Sequence, residues 1–311
     1  MANEIRLIDP VLTSIAQEYK NANFVANHLF PVVSVSRRKG KIPVFGKQAF
    51  VHRDTIRAIR SNSNRIPQDE IKYIDFEMVE RDVEVSLDYI EEEELSDFFD
   101  VERQATNELV DILLLGREKE IADYVQNPNN YTSDMKMEIT SAMAFDDYSK
   151  TVDPIMKIRE GIVKIRQKIS RYPNVMVIGE STYRALVFHP KIIDRVRYVG
   201  LGKVNIKSLS ELLEIPNIYI GLSVYTINGN DFVDIWEDNI ILAYVEEEEK
   251  GKTTRLGLSY GYLLQKKGYP EVDTYFENGG KIKIVRATDA YTFVATTPGA
   301  AFLIYNTNHL S

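Results

Sequence analysis

Among its 311 residues the chain has no cysteine, one tryptophan and four histidines. Without thiols there is no disulfide framework, no thiolate metal site and no cysteine nucleophile. The histidines, His28, His52, His189 and His309, form no His-x-x-x-His or His-x-His pair, so surface or hydrogen-bonded imidazoles account for them. No apolar run approaches the ~18 residues of a membrane span. Met1 to Ile5 lack the basic and apolar regions of a signal peptide, so the expectation is a soluble product that leaves its cell by lysis or not at all.

Catalytic and ligand-binding patterns are equally scarce. No Gly-x-Ser-x-Gly elbow occurs. Gly200-Leu201-Gly202-Lys203 and Gly257-Leu258-Ser259-Tyr260-Gly261 complete neither the dinucleotide fingerprint nor the Walker pattern, and read as ordinary turn glycines. The acidic runs Glu91 to Glu94 and Glu246 to Glu249 lack the spaced carboxylates and glycine of a calcium loop, so they read as solvated charge. No cofactor is expected. The one dispersed set that could serve an enzyme is Glu180, Tyr183 and His189 in an α/β portion of the chain.

Composition is otherwise that of a folded protein: 44% hydrophobic, 27% charged, net charge −8. That charge is unsuited to neutralising nucleic-acid phosphates over the whole molecule. Its distribution is more telling. Residues 37–72 carry ten bases, including Arg37, Arg38, Lys39, Lys41, Lys47, Arg53, Arg57, Arg60 and Arg65, against Asp54, Asp69 and Glu70. Residues 73–102 then carry thirteen acids, among them Asp75, Glu77, Glu80, Asp82 and Glu84, and a single base, Arg81. Two oppositely charged, strand-like arms meet at the polar tip Arg60 to Arg65, which predicts a long exposed hairpin over 37–90. At ~3.3 Å per residue an arm of about twenty residues reaches ~65 Å. A compact body of this size is about 50 Å across, so a hairpin with both arms straight projects beyond it. An extended hairpin with no core of its own needs a partner surface, and a second copy of the chain is the nearest supply. In the return arm Ile74, Phe76 and Met78 share one parity and Val83, Val85 and Leu87 the other, which predicts a bulge or change of face at Met78-Val79.

The remainder reads as mixed α+β. Residues 1–36 form an N-terminal arm with a small helix around Val11 to Tyr19 and little core. A long helix spans 97–126, capped by Asp97 or Asp100, with Phe98, Val101, Ala105, Leu109, Ile112 and Leu113 at helical spacing. Residues 127–150 read as a polar connector. Asp153-Pro154 opens a second helix striped by Ile155, Ile158, Ile162, Ile165 and Ile169. A buried strand at 174–178, a helix at 181–188 and a helix capped by Ser208 and Glu211 follow. Strands dominate from Ile218, with turns at Asn228-Gly229 and Asn278-Gly279, and the last three strands are placed at 281–287, 291–296 and 301–305.

In that order the chain resembles the major capsid proteins of tailed double-stranded-DNA phages, with the Hong Kong 97-type fold. The resemblance rests on Ala22 to Pro31, Gly40-Lys41-Ile42-Pro43-Val44-Phe45-Gly46, Pro173 to Gly179, Tyr183 to Val187 and Gly268-Tyr269-Pro270-Glu271-Val272, and covers essentially the whole chain. It implies an N-terminal arm (1–36), an extended loop (37–90), a peripheral domain with a spine helix (91–150), an axial domain (151–257) and C-terminal strands returning to the peripheral domain (258–311). It also implies pentamers and hexamers of an icosahedral head, assembled in the host cytoplasm, with the loop of one subunit over its neighbour. On this reading the subunit interface includes Arg37, Arg38, Lys39, Lys41, Lys47, Arg53, Arg57, Arg60, Arg65, Asp75, Glu77, Glu80, Asp82 and Glu84, and the bases face acids on the adjacent copy. Partners are further copies of the chain, a separate scaffolding protein, a portal, and packaged DNA held without sequence-specific contact; no membrane is involved. Lys39, Lys41 and Lys47 are possible donors for an isopeptide crosslink, for which no catalytic acid can be assigned. The alternatives are an encapsulin-like nanocompartment shell, the dispersed-site enzyme, and another virion component such as a tail or decoration protein.

Overall fold

A computed structural model of the chain describes residues 8–44, 72–95, 100–148, 152–200, 202–246 and 257–309, together with positions 52, 55–57, 59–60 and 62–64. The described elements are, in chain order, α1 (Pro10–Glu18), α2 (Ala26–Leu29), β1 (Val32–Val35), β2 (Lys39–Val44), β3 (Lys72–Glu77), β4 (Val79–Asp88), α3 (Tyr89–Leu95), α4 (Val101–Gln126) and β5 (Lys136–Glu138). There follow α5 (Pro154–Ile169), β6 (Val175–Gly179), α6 (Glu180–Phe188), α7 (Pro190–Val199), α8 (Ile206–Leu213), β7 (Asn217–Gly221), β8 (Val224–Thr226), β9 (Phe232–Asp234), β10 (Ile240–Ala243), β11 (Gly261–Lys266), β12 (Glu271–Glu277), β13 (Ile282–Ala295) and β14 (Ala301–Tyr305).

Two five-stranded sheets organise the chain. The first is built around β13, which pairs with β11 and β12 and, over ten residues from Ile282–Asp88 to Tyr291–Val79, with β4; β1 lies parallel to β11 at its edge. The second has the order β5-β14-β10-β6-β7. Helices α5 and α6 pack against this second sheet, and its central strands are continuous apolar runs, Val175 to Ile178 and Ile240 to Ala243, buried throughout. A strand covered on both faces has no polar side to present, which explains the absence of alternation there. Helix α4, about 39 Å long at 1.5 Å per residue, touches both regions. Its first half buries Leu109, Val110 and Leu113 against α1 and the first sheet, and its second half buries Ile121, Ala122 and Val125 in the larger core.

Local chemistry sets most boundaries. Asp9 accepts the Val11 and Leu12 amides at 2.8 and 3.0 Å with Pro10 at the first helical position of α1, and Asp100 accepts the Arg103 amide at the start of α4. Asp97, the other expected cap, lies outside the described residues. Asp153 caps α5 and Ser170, at φ 54°, ends it. The cap of α8 differs from expectation. Asn205 and Ser208 form the capping box, with Ser208 inside the helix, because Asn205 is the residue whose side chain reaches the Ser208 amide at 2.9 Å.

Several expectations are corrected. The N-terminal segment is not poor in core: Val25, Ala26, Leu29 and Phe30 are buried in the main cluster. Residues 127–148 are not merely polar, since Tyr131, Met135, Ile139, Ala144 and Phe145 are buried and β5 joins the second sheet. Residues 282–295 form one strand where two were expected, because β4 holds the intervening Thr288 to Ala290 in the ladder. The closing strands divide between the sheets: β11 to β13 lie in the first and β14 in the second, antiparallel to β10. Helix α7 has no counterpart in the sequence reading.

Candidate assembly surfaces

The charge-divided segment begins as a two-stranded ribbon. Strand β2 runs antiparallel to β3 with Lys39 opposite Glu77, Lys41 opposite Asp75 and Ile42 opposite Ile74. Alternation then places the two lysines and two acids on one face, where Lys39 meets Glu77 at 2.5 Å and Lys41 meets Asp75 at 3.6 Å. On the other face the Phe76 ring lies over Gly40, where a Cβ would come within 2.8 Å of it. A side chain at that position would have to displace the half-buried Phe76 ring. Ile42 and Met78 are buried with Val33, Tyr262 and Leu264, which roots the ribbon in the first sheet. At Met78 the chain leaves β2 and crosses to β13, a switch that produces the parity slip seen in the sequence.

Lys39, Lys41 and Arg38 therefore meet acids of their own chain, and Arg38, paired with Glu80, also reaches the Tyr269 hydroxyl. These pairs are exposed and individually worth ~0–1 kcal/mol. Glu84 accepts the Tyr275 hydroxyl at 2.9 Å and Asp82 is exposed on β4. Arg37, Arg57 and Arg60 are exposed; Lys47, Arg53 and Arg65 lie outside the described residues.

Behind the ribbon a polar cluster fastens β4, β11 and β13 to α4. Arg81 holds Glu120 through two bonds of 2.8 and 2.9 Å, and the Tyr291 hydroxyl donates to Glu120 at 3.0 Å. The guanidinium groups of Arg81 and Arg117 both lie over the Tyr291 ring, 4.0 and 4.6 Å from its centroid. Arg117 pairs with Asp289, both almost fully buried, and Gln265 and the Ala290 amide donate to the other Asp289 oxygen at 2.8 Å each. Burial and the Glu120 charge push the Tyr291 hydroxyl above its ordinary pKa.

A second junction centres on Glu118. Its Oε1 accepts the Val25 amide at 2.8 Å and the Trp236 indole at 2.7 Å, and its Oε2 accepts the Ala26 amide at 2.9 Å. Burial raises its pKa against the pull of these donors. Three distant pieces of chain meet on one carboxylate. Neither junction was found in the sequence, which offers only charged letters inside a long helix.

The dispersed-site residues do not converge. Glu180 opens α6 and pairs with Arg184, while His189 follows its far end, about 13 Å along at 1.5 Å per residue. His189 is neither at the surface nor hydrogen-bonded, contrary to expectation. It is 1% exposed, its ring nitrogens have no hydrogen-bond partner among the described residues, and the Tyr148 ring lies edge-on at 6.0 Å. Among the described residues no group of three His, Asp or Glu could hold a metal ion, and no helix is long and apolar enough to cross a membrane. Gly200, at φ 78°, caps α7 as an ordinary helix end.

No protein-family model matches the chain. Among curated proteins it is 40% identical over 307 residues to the major capsid protein of Burkholderia phage BcepMu, with 98% of each chain covered. The chain belongs to the phage major capsid proteins. It is also 27% identical, over 85% of each chain, to the major capsid protein of Pseudomonas phage JBD67. A solved phage-related protein from Bordetella bronchiseptica superposes with a TM-score of 0.81 at 26% identity, covering 99% of both chains. More distant likenesses reach the mature capsid of bacteriophage PhiM1 (TM-score 0.53, 98% and 91% covered) and an encapsulin from Synechococcus elongatus (0.55, 99% of each), both at 13% identity. These share the fold alone. The architecture is the α+β fold of the Hong Kong 97-type capsids, and the protein is a structural subunit of a virion's capsid shell, built from copies of itself.

Proposed function

We propose that this capsid subunit forms pentamers and hexamers of an icosahedral phage head around double-stranded DNA, catalyses no reaction, and is assembled in the host cytoplasm with a separate scaffold and a portal. The observation that carries this reading is the ribbon, anchored at Ile42 and Met78 and carrying its charge pairs on an exposed face. It fits an extended loop lying on a neighbouring subunit. Pairs this exposed exchange partners at little cost, so Arg38, Lys39 and Lys41 can trade Glu80, Glu77 and Asp75 for acids of an adjacent copy. The same reading assigns 1–36 to an N-terminal arm, 37–90 to the extended loop, 91–150 to a peripheral domain with α4 as its spine, and 151–257 to an axial domain. It takes β11 to β13 as the return to the peripheral domain and leaves β14 with the axial sheet.

Negative-stain electron microscopy of the purified protein at low and high salt tests the proposal. Closed shells, or five- and sixfold rings that salt dissociates, are the expected result. A monomer under all conditions, even with a co-expressed scaffold, would overturn it. Shells that enclose an enzyme rather than DNA when purified from their host would favour the encapsulin-like reading.

A further inference from the structure

Helix α5 reverses the charge balance of an acidic protein. Residues 154–172 carry Lys157, Arg159, Lys164, Arg166, Lys168 and Arg171 against Glu160 alone, in a chain of net charge −8. The isoleucines of α5 face the second sheet, and on a flank of the helix, beside the edge of that sheet, Met156 and Val163 are 53% and 48% exposed. At 3.6 residues per turn these two stand in line, with Arg159 and Arg166 on one flank and Lys157, Lys164 and Lys168 on the other. Together with Met137 and Phe302 they line an open groove of 430 Å³ whose rim includes Arg159 and Lys164. Lys157 and Lys168 are committed to Glu160 and Asp134, and Arg159 donates to the Leu212 carbonyl. Among the described residues Lys164 and Arg171 have no ion pair.

A nucleic-acid backbone would use the bases and gain nothing from an exposed methionine and valine. The matching partner presents acids beside apolar side chains. Helix α3 of this same chain does so: Tyr89, Ile90 and Leu95 are exposed beside the four carboxylates Glu91 to Glu94. In its own chain α3 rests against β4. We propose that α3 of one subunit docks in the α5 groove of a neighbour, with Leu95 or Ile90 over Met156 and Val163 and the glutamates toward Lys164 and Arg159. The proposal rests on the capsid-shell reading and deepens it. A contact between two different patches is heterologous, and it closes into rings when the rotation between subunits allows.

The lack of cysteine makes the test direct. Shells of a Leu95→Cys/Val163→Cys variant, treated with a short bismaleimide, should give ladders of three or more chains on a denaturing gel, while each single variant stops at dimers. Chains that stay monomeric within intact shells would overturn the docking. In a second arm, Arg159→Glu with Lys164→Glu should cut shell yield roughly tenfold, equivalent to about 1.4 kcal/mol, and adding Glu91→Lys with Glu94→Lys should restore it. Unchanged yield, or no rescue, overturns the proposal; unchanged yield with less DNA retained would assign the face to the genome instead. Failure of the unmodified protein to form shells even with a co-expressed scaffold would overturn the capsid-head reading, a distinguishable result.

Discussion

The indole N–H of Trp236 donates to Oε1 of Glu118 at 2.7 Å, joining a loop beside the second sheet to the middle of the long helix. The same carboxylate receives the Val25 and Ala26 amides, so the N-terminal segment is fastened at one point. In Glu118→Gln one oxygen becomes an NH2 group facing an N–H donor. Urea unfolding of the variant subunit should show a loss of about 1–3 kcal/mol, the cost of an unsatisfied buried group.

Arg117 and Asp289 form a buried pair, whereas Lys41 and Asp75 form an exposed one. Arg117→Met strands the Asp289 charge in the interior and should cost about 3–5 kcal/mol. Lys41→Met should cost less than about 1 kcal/mol. Equal losses by chemical denaturation would contradict the burial of the first pair.

Two glycines should respond with opposite sign. A Cβ at Gly221 would lie 2.2 Å from Trp236, which is 1% exposed and tethered to Glu118, so the ring cannot yield. Gly221→Ala should lower stability by about 1–3 kcal/mol. Gly116 sits inside α4 with nothing within 4 Å of its Cβ position, and Gly116→Ala should raise stability by about 0.5–1 kcal/mol. Thermal unfolding of both variants checks the pair.

Acidification should weaken the subunit partly through His189. Burial first, then the nearby Lys191 charge, lowers its pKa against a smaller opposing effect of Asp153, which is itself paired with Arg195. Above its ordinary value of 6.5 the imidazole is neutral in both folded and unfolded chains. As pH falls through 6.5 the unfolded chain takes up a proton that the folded chain refuses, so stability declines until the lowered folded value is passed. His28, exposed but stacked on Tyr219 with ring centroids 3.6 Å apart, is lowered by partial desolvation and acts more weakly in the same direction. His189→Phe should flatten the stability difference between pH 7.5 and 5.5 without abolishing it. An unchanged difference would remove His189 from the account.

Much of the fold is legible in the chain because local rules and tertiary structure agree. Asp153-Pro154 starts a helix, Asn278-Gly279 turns a hairpin and the isoleucine stripe faces a sheet. The ribbon's register is legible in hindsight, since only one alignment sets Lys39 and Lys41 opposite Glu77 and Asp75. What sequence alone concealed depends on long-range pairing. Thr288, Asp289 and Ala290 look like a break until β4 is placed beside them, and Asp289 looks like a surface acid until Arg117 arrives from 172 residues away. The basic face of α5 was visible as letters, but its exposed Met156 and Val163 became a groove only once β5 and β14 were in place.

Strand β4 continues directly from the ribbon and is paired with β13 over ten residues. Ladder hydrogen bonds run perpendicular to the strands. A pull on the ribbon along its length therefore loads all ten rungs of that ladder in shear at once, rather than opening them one by one. A shell that swells under internal pressure would meet stiff resistance at the root of the ribbon, with Arg81 and Glu120 riveting the loaded strand to the long helix behind it.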